Sequence, residues 1–485
     1  METRHRLSWL LLPAVAAVVL IGISLLPRAQ QSTALVWSLW GAAAAIALNA
    51  AVLGIGARRG AIELGVTVDI KRTHWVQGLL QASIYLYWGQ FWAPVVSHAP
   101  LIVAQIVFLY GIDMVIAWSR RRPVRLGFGP FPIVLSTNLF LWFRDDWFFL
   151  QFTMLAVGAF AKDLITWERD GKRAHIFNPS AFALALFSFV LIVSDTTAIT
   201  WGPQIATTLI RPELFYVHLF LLGIVVQYLF RVTLVTLCSA GAIFLFGVIY
   251  ENATGVFWFV TASLPASVFI GLHLLVTDPA TSPRSDLGRA IFGLLYGVSV
   301  IVLFGVLEWL GDPTFYDKLL SVPLLNLAVP WIDRFAEAIR ARVKLPPVPG
   351  ISGNAWRSNV AYMTVWSLLF LYMWTSGFVS PRHLGRQYTF WQESCLAQNV
   401  RGCRYLHEQL TEDCTEGEAV ACFNLGQAVD LGLGVPPDRE RASELWQRSC
   451  ELGSERGCAA AGRARSDQLR SAQPRSVDPE GKAPD

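Results

Sequence analysis

The feature that most constrains this chain is a succession of long apolar runs joined by short, basic connections. A run of about 17 to 25 apolar residues has the length of a membrane-crossing helix. Such runs lie near residues 8–26, 34–56, 75–97, 100–118, 147–166, 178–194, 214–230, 232–250, 257–276, 290–310, 317–333 and 357–377. A shorter run at 131–143 is bracketed by Pro130, Pro132 and the Arg144-Asp145-Asp146 cluster, and reads either as a full crossing or as a broken, re-entrant one. Counted as a crossing, it brings the total to about thirteen. Of the 485 residues, 54% are hydrophobic and only 15% charged, which excludes a string of soluble domains. The formal charge of +4 is spread through the connections, a pattern that sets topology and gives no nucleic-acid footprint.

The connections divide by charge. With the N-terminus inside, the inner segments hold twenty Lys and Arg, among them Arg58, Arg59, Lys71, Arg72, Arg120, Arg121, Arg122, Arg125, Arg169, Lys172 and Arg173, whereas the outer ones hold Arg28, Arg144, Arg211 and Lys318. That bias fits a bacterial plasma-membrane protein with a cytoplasmic N-terminus. No small-x-small cleavage site follows the first run, so a retained anchor is expected. An odd number of crossings puts everything after residue 377 on the periplasmic side.

Cysteine usage bears independently on that side. Cys238 stands alone in an apolar run, while Cys395, Cys403, Cys414, Cys422, Cys450 and Cys458 form three pairs at one eight-residue spacing. WQESCLAQNVRGC at 391–403 returns as WQRSCELGSERGC at 446–458, which makes an internal repeat. Zinc modules favour two to four residues between ligands, and no His stands at a partnering offset. Disulfides in an oxidising compartment are therefore the expectation. The stretch 418–458, with Ala421, Leu425, Gly426, Gly432, Gly434, Val435, Asp438, Ala442, Trp446 and Gly453, resembles a cysteine-rich Sel-1-like repeat, the tetratricopeptide-related helix pair. The resemblance implies protein–protein interaction with a periplasmic partner. From residue 463 the chain is polar and rich in Pro, and is expected to be disordered.

Polar groups at membrane depth mark candidate sites: Asp113, Lys162, Asp163, His218, Glu251 and His273. Each also has a bland reading as an interfacial or locally paired group. Two inner connections are more informative. His175-Ile176-Phe177-Asn178-Pro179-Ser180 breaks the chain before a helix, and Thr277-Asp278-Pro279-Ala280-Thr281-Ser282-Pro283 is rich in hydroxyls and stiffened by prolines, followed by Gly288-Arg289. As turn and cap sequences both are ordinary. Together, AKDLITWERDGKRAHIFNPSAFALAL and HLLVTDPATSPRSDLGRAIFGLLYG are similar to the flavin-carrying membrane protein common to Rnf electron-transport complexes and sodium-pumping NADH:quinone reductases.

That resemblance implies an electron-transport protein coupled to ion movement, working with other electron-transport subunits. It also implies a flavin, FMN or riboflavin, held by Lys162, Phe177, Asn178, Thr277, Asp278, Thr281 and Ser282. The family's covalent FMN is attached to a Thr in an outer connection. Here that connection reads TWGPQIATTLIRPE, offering Thr207 but with Trp201, Gln204 and Ile205 at the acidic and hydroxyl determinants, so covalent flavin, non-covalent flavin and none remain open. The rival reading is a non-redox scaffold or transporter that keeps the fold without flavin. No catalytic side chain and no metal site is nominated. The expected fold is an all-α polytopic bundle in a lipid bilayer with a small C-terminal α/α-repeat domain. Its divisions are N-terminal spans at 1–99, a core at 100–345, a last span and linker at 346–380, repeats at 381–462 and a tail at 463–485.

Overall fold

The computed structural model describes residues 7–169, 171–209, 212, 214–343, 355–379 and 381–472. It is helical, with two small two-stranded ribbons, and divides into two compact units, Met1–Phe246 with Leu264–Pro381, and Gly247–Ser263 with Arg382–Asp485.

The first unit opens with α1 (Leu11–Ser24), a short α2 (Pro27–Gln30) and α3 (Thr33–Arg58). β1 (Val66–Val68) leads into α4 (Arg72–Trp88), and α5 (Ala93–Ser119) returns to β2 (Val124–Leu126). β1 and β2 pair in parallel, fixing the start of α4 and the end of α5 at one end of the bundle, the strand end. The bidentate Arg28–Asp145 pair, at 2.8 and 2.6 Å, marks the opposite, Arg28 end. The expected break at residues 97–100 falls earlier. Residues 89–92 form the turn, Pro94 takes the first turn of α5, where a missing N–H costs nothing, and Pro100 lies within α5.

Between β2 and Asp145 stands α6 (Pro130–Asn138), only nine residues long, about 14 Å against a hydrocarbon core of about 30 Å. Residues 139–143 continue without helix, and Leu139, Phe140, Leu141, Trp142 and Phe143 are all fully buried. The 131–143 run thus passes from the strand end to the Arg28 end as a half-helix followed by a turn and non-helical chain. Exposed backbone is tolerated at this depth only inside protein, and an amide cluster encloses the break. Asn138 Nδ2 donates to Gln105 Oε1 at 2.6 Å, Gln105 Nε2 returns to Asn138 Oδ1 at 3.2 Å, and Gln151 Oε1 accepts from the Phe143 N–H.

α7 (Phe149–Leu164) runs back to a hairpin of β3 (Thr166–Arg169) and β4 (Lys172–His175), and α8 (Pro179–Val193) leaves it again. α9 (Gly202–Thr208), α10 (Phe215–Phe230) and α11 (Thr233–Thr254) follow. The expected helix over 257–276 is reduced to α12 (Ala266–Leu274). Pro265 stands at its N-cap position with φ -55° and ψ 144°, and the Cδ of its ring clashes with a helical conformation in the residue before it. α13 (Asp286–Leu310), α14 (Asp317–Val343) and α15 (Ala355–Thr375) complete the unit. Among the described residues six helices are long and apolar enough to cross a membrane by themselves. The half-helices α6 and α12, both almost wholly buried, depend on their neighbours.

The second unit is an antiparallel series of α16 (Tyr388–Leu396), α17 (Val400–Thr415), α18 (Ala419–Leu431), α19 (Arg439–Glu451) and α20 (Glu455–Ala472). Disulfides Cys395–Cys403, Cys414–Cys422 and Cys450–Cys458 each join the end of one helix to the start of the next. The α18–α19 joint has no bridge; Gly432 and Gly434 turn there with positive φ, and Gly426 leaves room for the Trp446 indole, whose Nε1 donates to the Phe423 carbonyl at 3.2 Å. Val256 and Phe257 belong to the same apolar core as Trp391, Leu406 and Leu425. Arg401 holds that segment, donating to the Trp258 carbonyl at 2.7 Å and to Tyr250 Oη at 3.1 Å. The polar stretch from 463 is helical as far as Ala472; the rest of the expected tail lies outside the described residues.

Candidate functional site

The strand end of the first unit holds a cavity of two adjoining lobes, about 370 Å³ and about 620 Å³, within the range of ligand pockets. Lys71, His74, Gly129, Lys162 and His175 line both lobes. Several distant segments meet there. The first turns of α4 bring Thr73, His74 and Gln77; α6 brings Pro132, Ile133 and Ser136; the last turn of α7 brings Lys162; the β4–α8 junction brings His175 and Asn178; and the connection after α12 brings Thr277 and Asp278. Val226 and Phe230 of α10, with Leu274, add an apolar wall.

The connection after α12 is held rigidly. Thr277 Oγ1 donates to the His273 carbonyl at 2.6 Å, Ser282 Oγ to the Asp278 carbonyl at 2.8 Å, and Asn326 Nδ2 to the Thr281 carbonyl at 3.2 Å. Arg169 donates to the carbonyls of Ala280 and Ser282 and pairs with Asp333 at 3.2 Å. His175 Nε2 lies 3.0 Å from Asp278 Oδ2, and Asp278 Oδ1 accepts from the Ala280 N–H at 3.0 Å. Burial alone would raise the Asp278 carboxyl, but the His175 hydrogen bond and charge, the Ala280 N–H and Lys162 together hold it below the ordinary carboxylate value.

Asn178 caps α8. Its Oδ1 accepts from the N–H groups of Ser180 and Ala181, at 3.0 and 3.2 Å, while Nδ2 donates to the Leu275 carbonyl at 3.0 Å. The amide is thus committed on both sides to backbone, tying α8 to the broken end of α12. Other lining groups are open. Among the described residues the side chains of Thr73, His74, Gln77 and Lys162 have no hydrogen-bond or ion-pair partner, and all four face the first lobe.

Of the residues expected at a site, the structure brings Lys162, Asn178, Thr277 and Asp278 to the cavity. Thr281 and Ser282 are buried behind the connection and serve its own hydrogen bonds. Phe177 is buried against Phe182, ring centroids 4.7 Å apart, away from the lining. Thr207 is exposed on α9, its hydroxyl donating to the Gln204 carbonyl at 3.2 Å. α9 follows Trp201, whose N–H donates to the Trp142 carbonyl, so Thr207 belongs to the Arg28 end and not to the cavity. Lys71, Thr73, His74, Gln77 and Ser136 were not foreseen as site residues. Their one sequence signal was the basic connection at 71–74, which hydropathy reads only as topology.

Residues 155–341 match the model of the NQR2, RnfD, RnfE family. The matched stretch contains Lys162, His175, Asn178 and the 277–282 connection, while α4 and α6 lie before it. No curated protein matches the chain.

Proposed function

We propose, from the match of residues 155–341 to the NQR2, RnfD, RnfE family, that this multi-pass membrane protein works in electron transport and holds a flavin in the two-lobed cavity at the strand end. The match supports membrane electron or ion transport in general. The reading in favour of a flavin rests on one observation: an open cavity in which the unpartnered Thr73, His74, Gln77 and Lys162 stand across from an apolar wall of Ile133, Val226, Phe230 and Leu274. A flavin ring needs directional partners at its polar edge and apolar cover on its faces.

When bound, the flavin supplies reversible electron uptake and release. The chain's part is to place and shield it. Gln77 and Thr73, four residues apart on one helix face, offer an amide and a hydroxyl to the polar edge. Lys162 and His74 supply donors beside them. The His175–Asp278 pair and the Asn178 cap keep the 277–282 connection from moving into the space. The excess of Lys and Arg at the strand end supports a cytoplasmic position for the cavity, and the disulfide-linked helices support a periplasmic second unit that docks a protein partner. Purified protein that is yellow, with flavin recovered by chromatography, is the expected result. Colourless protein after mild extraction counts for the scaffold or transporter reading.

A further inference from the structure

We infer that the first lobe is a non-covalent seat for a phosphomonoester, so that the flavin it takes is the phosphorylated form; this rests on the flavin reading above. The lobe is lined by two ammonium groups, Lys71 and Lys162, and two imidazoles, His74 and His175, against one carboxylate, Asp278. That carboxylate is already engaged by His175 at 3.0 Å. Lys71 has only a long contact of 3.9 Å with Asp69, and Lys162 and His74 have no partner among the described residues. At the adjoining lobe Arg120 and Arg122 pair with Asp163 at 3.3 and 2.6 Å, and Arg173 donates to Thr166 Oγ1 at 2.7 Å. The positive charge of the lobe is therefore concentrated at Lys162 and Lys71, and His74, whose imidazole is pushed down by burial and by these two lysines, stands beside them as a neutral ring.

A second feature converges on the same point. α4, seventeen residues long, starts at Arg72 with no side chain capping its first turn, and Thr73 of that turn lines the lobe. Uncapped N–H groups at a helix start favour an anion, most of all beside cationic side chains. A neutral ligand would leave this charge unanswered.

The position of Thr207 separates this seat from covalent attachment. Thr207 lies at the Arg28 end and Lys162 at the strand end, so one phosphate cannot be esterified to the first and held by the second. A phosphate carried at Lys162 is released when the chain unfolds.

The test is titration of the detergent-purified full chain, stripped of flavin, with FMN, riboflavin and inorganic phosphate, read by flavin fluorescence and by calorimetry. FMN is expected to bind at least about tenfold more tightly than riboflavin, with inorganic phosphate competing against FMN only. Lys162→Gln is expected to lower FMN affinity to that of riboflavin, with an unchanged thermal midpoint in detergent showing that the variant is folded; His74→Gln is expected to lower FMN affinity in the same direction, and Lys162→Arg to restore the preference. Equal affinity for FMN and riboflavin overturns the phosphate seat and leaves the flavin reading standing. Phosphate binding that is lost in Lys162→Gln, without binding of either flavin, supports the seat and overturns the flavin reading. Binding of neither overturns both. FMN that stays on the chain after denaturation overturns the non-covalent seat.

Discussion

Asn178 Nδ2 donates to the carbonyl oxygen of Leu275 at 3.0 Å, while its Oδ1 caps the first turn of α8. One amide therefore joins the start of one helix to the point where another breaks, at the floor of the cavity. The residue that most resembles a ligand contact in the sequence acts as the fastening that keeps the ligand space open.

Replacing Asn178 with Ala removes a helix cap and leaves the buried Leu275 carbonyl without its donor. The expected loss is about 2 to 4 kcal/mol, seen as a lower thermal midpoint in detergent and faster amide exchange over 275–283. Asn178→Asp keeps the cap but not the donor, and is expected to fall between the two. Unchanged exchange in the Ala variant would show that the contact does not hold the connection.

The way the sequence both shows and hides this site is physical. Asn-Pro and Asp-Pro are local signals, since a proline restricts its own residue and the one before it, and they located the 175–180 and 277–282 connections. Lys71 and His74 reach the cavity only because β1 pairs with β2 and brings α4 beside α6, a long-range event that leaves no local pattern. The half-helices were hidden for another reason. Hydropathy reports burial and is blind to backbone form, and residues 139–143 are as apolar in turn and loop as they would be in a helix. Pro265, by contrast, was a visible stop inside the expected 257–276 span. The cysteine pairs were legible because an eight-residue step joins the end of one helix to the start of the next in all three cases.

Alkylation under denaturing conditions without reductant is expected to label one cysteine, Cys238, and to label the other six only after reduction. Each bridge is expected to contribute about 2 to 3 kcal/mol to the second unit. Cys414→Ser with Cys422→Ser should therefore lower the protease resistance of 382–472. Full labelling without reductant in protein taken from intact membranes would contradict an oxidising location for this unit.

The second unit is also expected to weaken in mild acid through His383. Its Nδ1 accepts from the Gly385 N–H at 3.1 Å, and Nε2 lies 3.4 Å from Ser263 Oγ. The ring is therefore held neutral, with its proton on Nε2. Burial, with the nearby Arg386 charge adding to it, pushes the imidazole down to about 4 from an unfolded value of about 6.5. The unfolded chain binds the extra proton first as the pH drops. The stabilisation is thus complete above about pH 6.5 and is lost as the pH falls through about 4, by up to about 3 kcal/mol. Unfolding of 382–472, followed by proteolysis between about pH 7.5 and pH 4.5, should show this slope, and His383→Asn, which retains an acceptor, should flatten it. Parallel slopes in the two proteins would remove His383 from the account.

Whether the strand-end cavity holds a flavin is decided by the flavin content of the protein as isolated from membranes. The expected result is a yellow protein whose flavin leaves on denaturation, is retained in Thr207→Val, and is diminished in Lys162→Gln. A colourless protein, or one whose flavin is lost in Thr207→Val and untouched in Lys162→Gln, would contradict it.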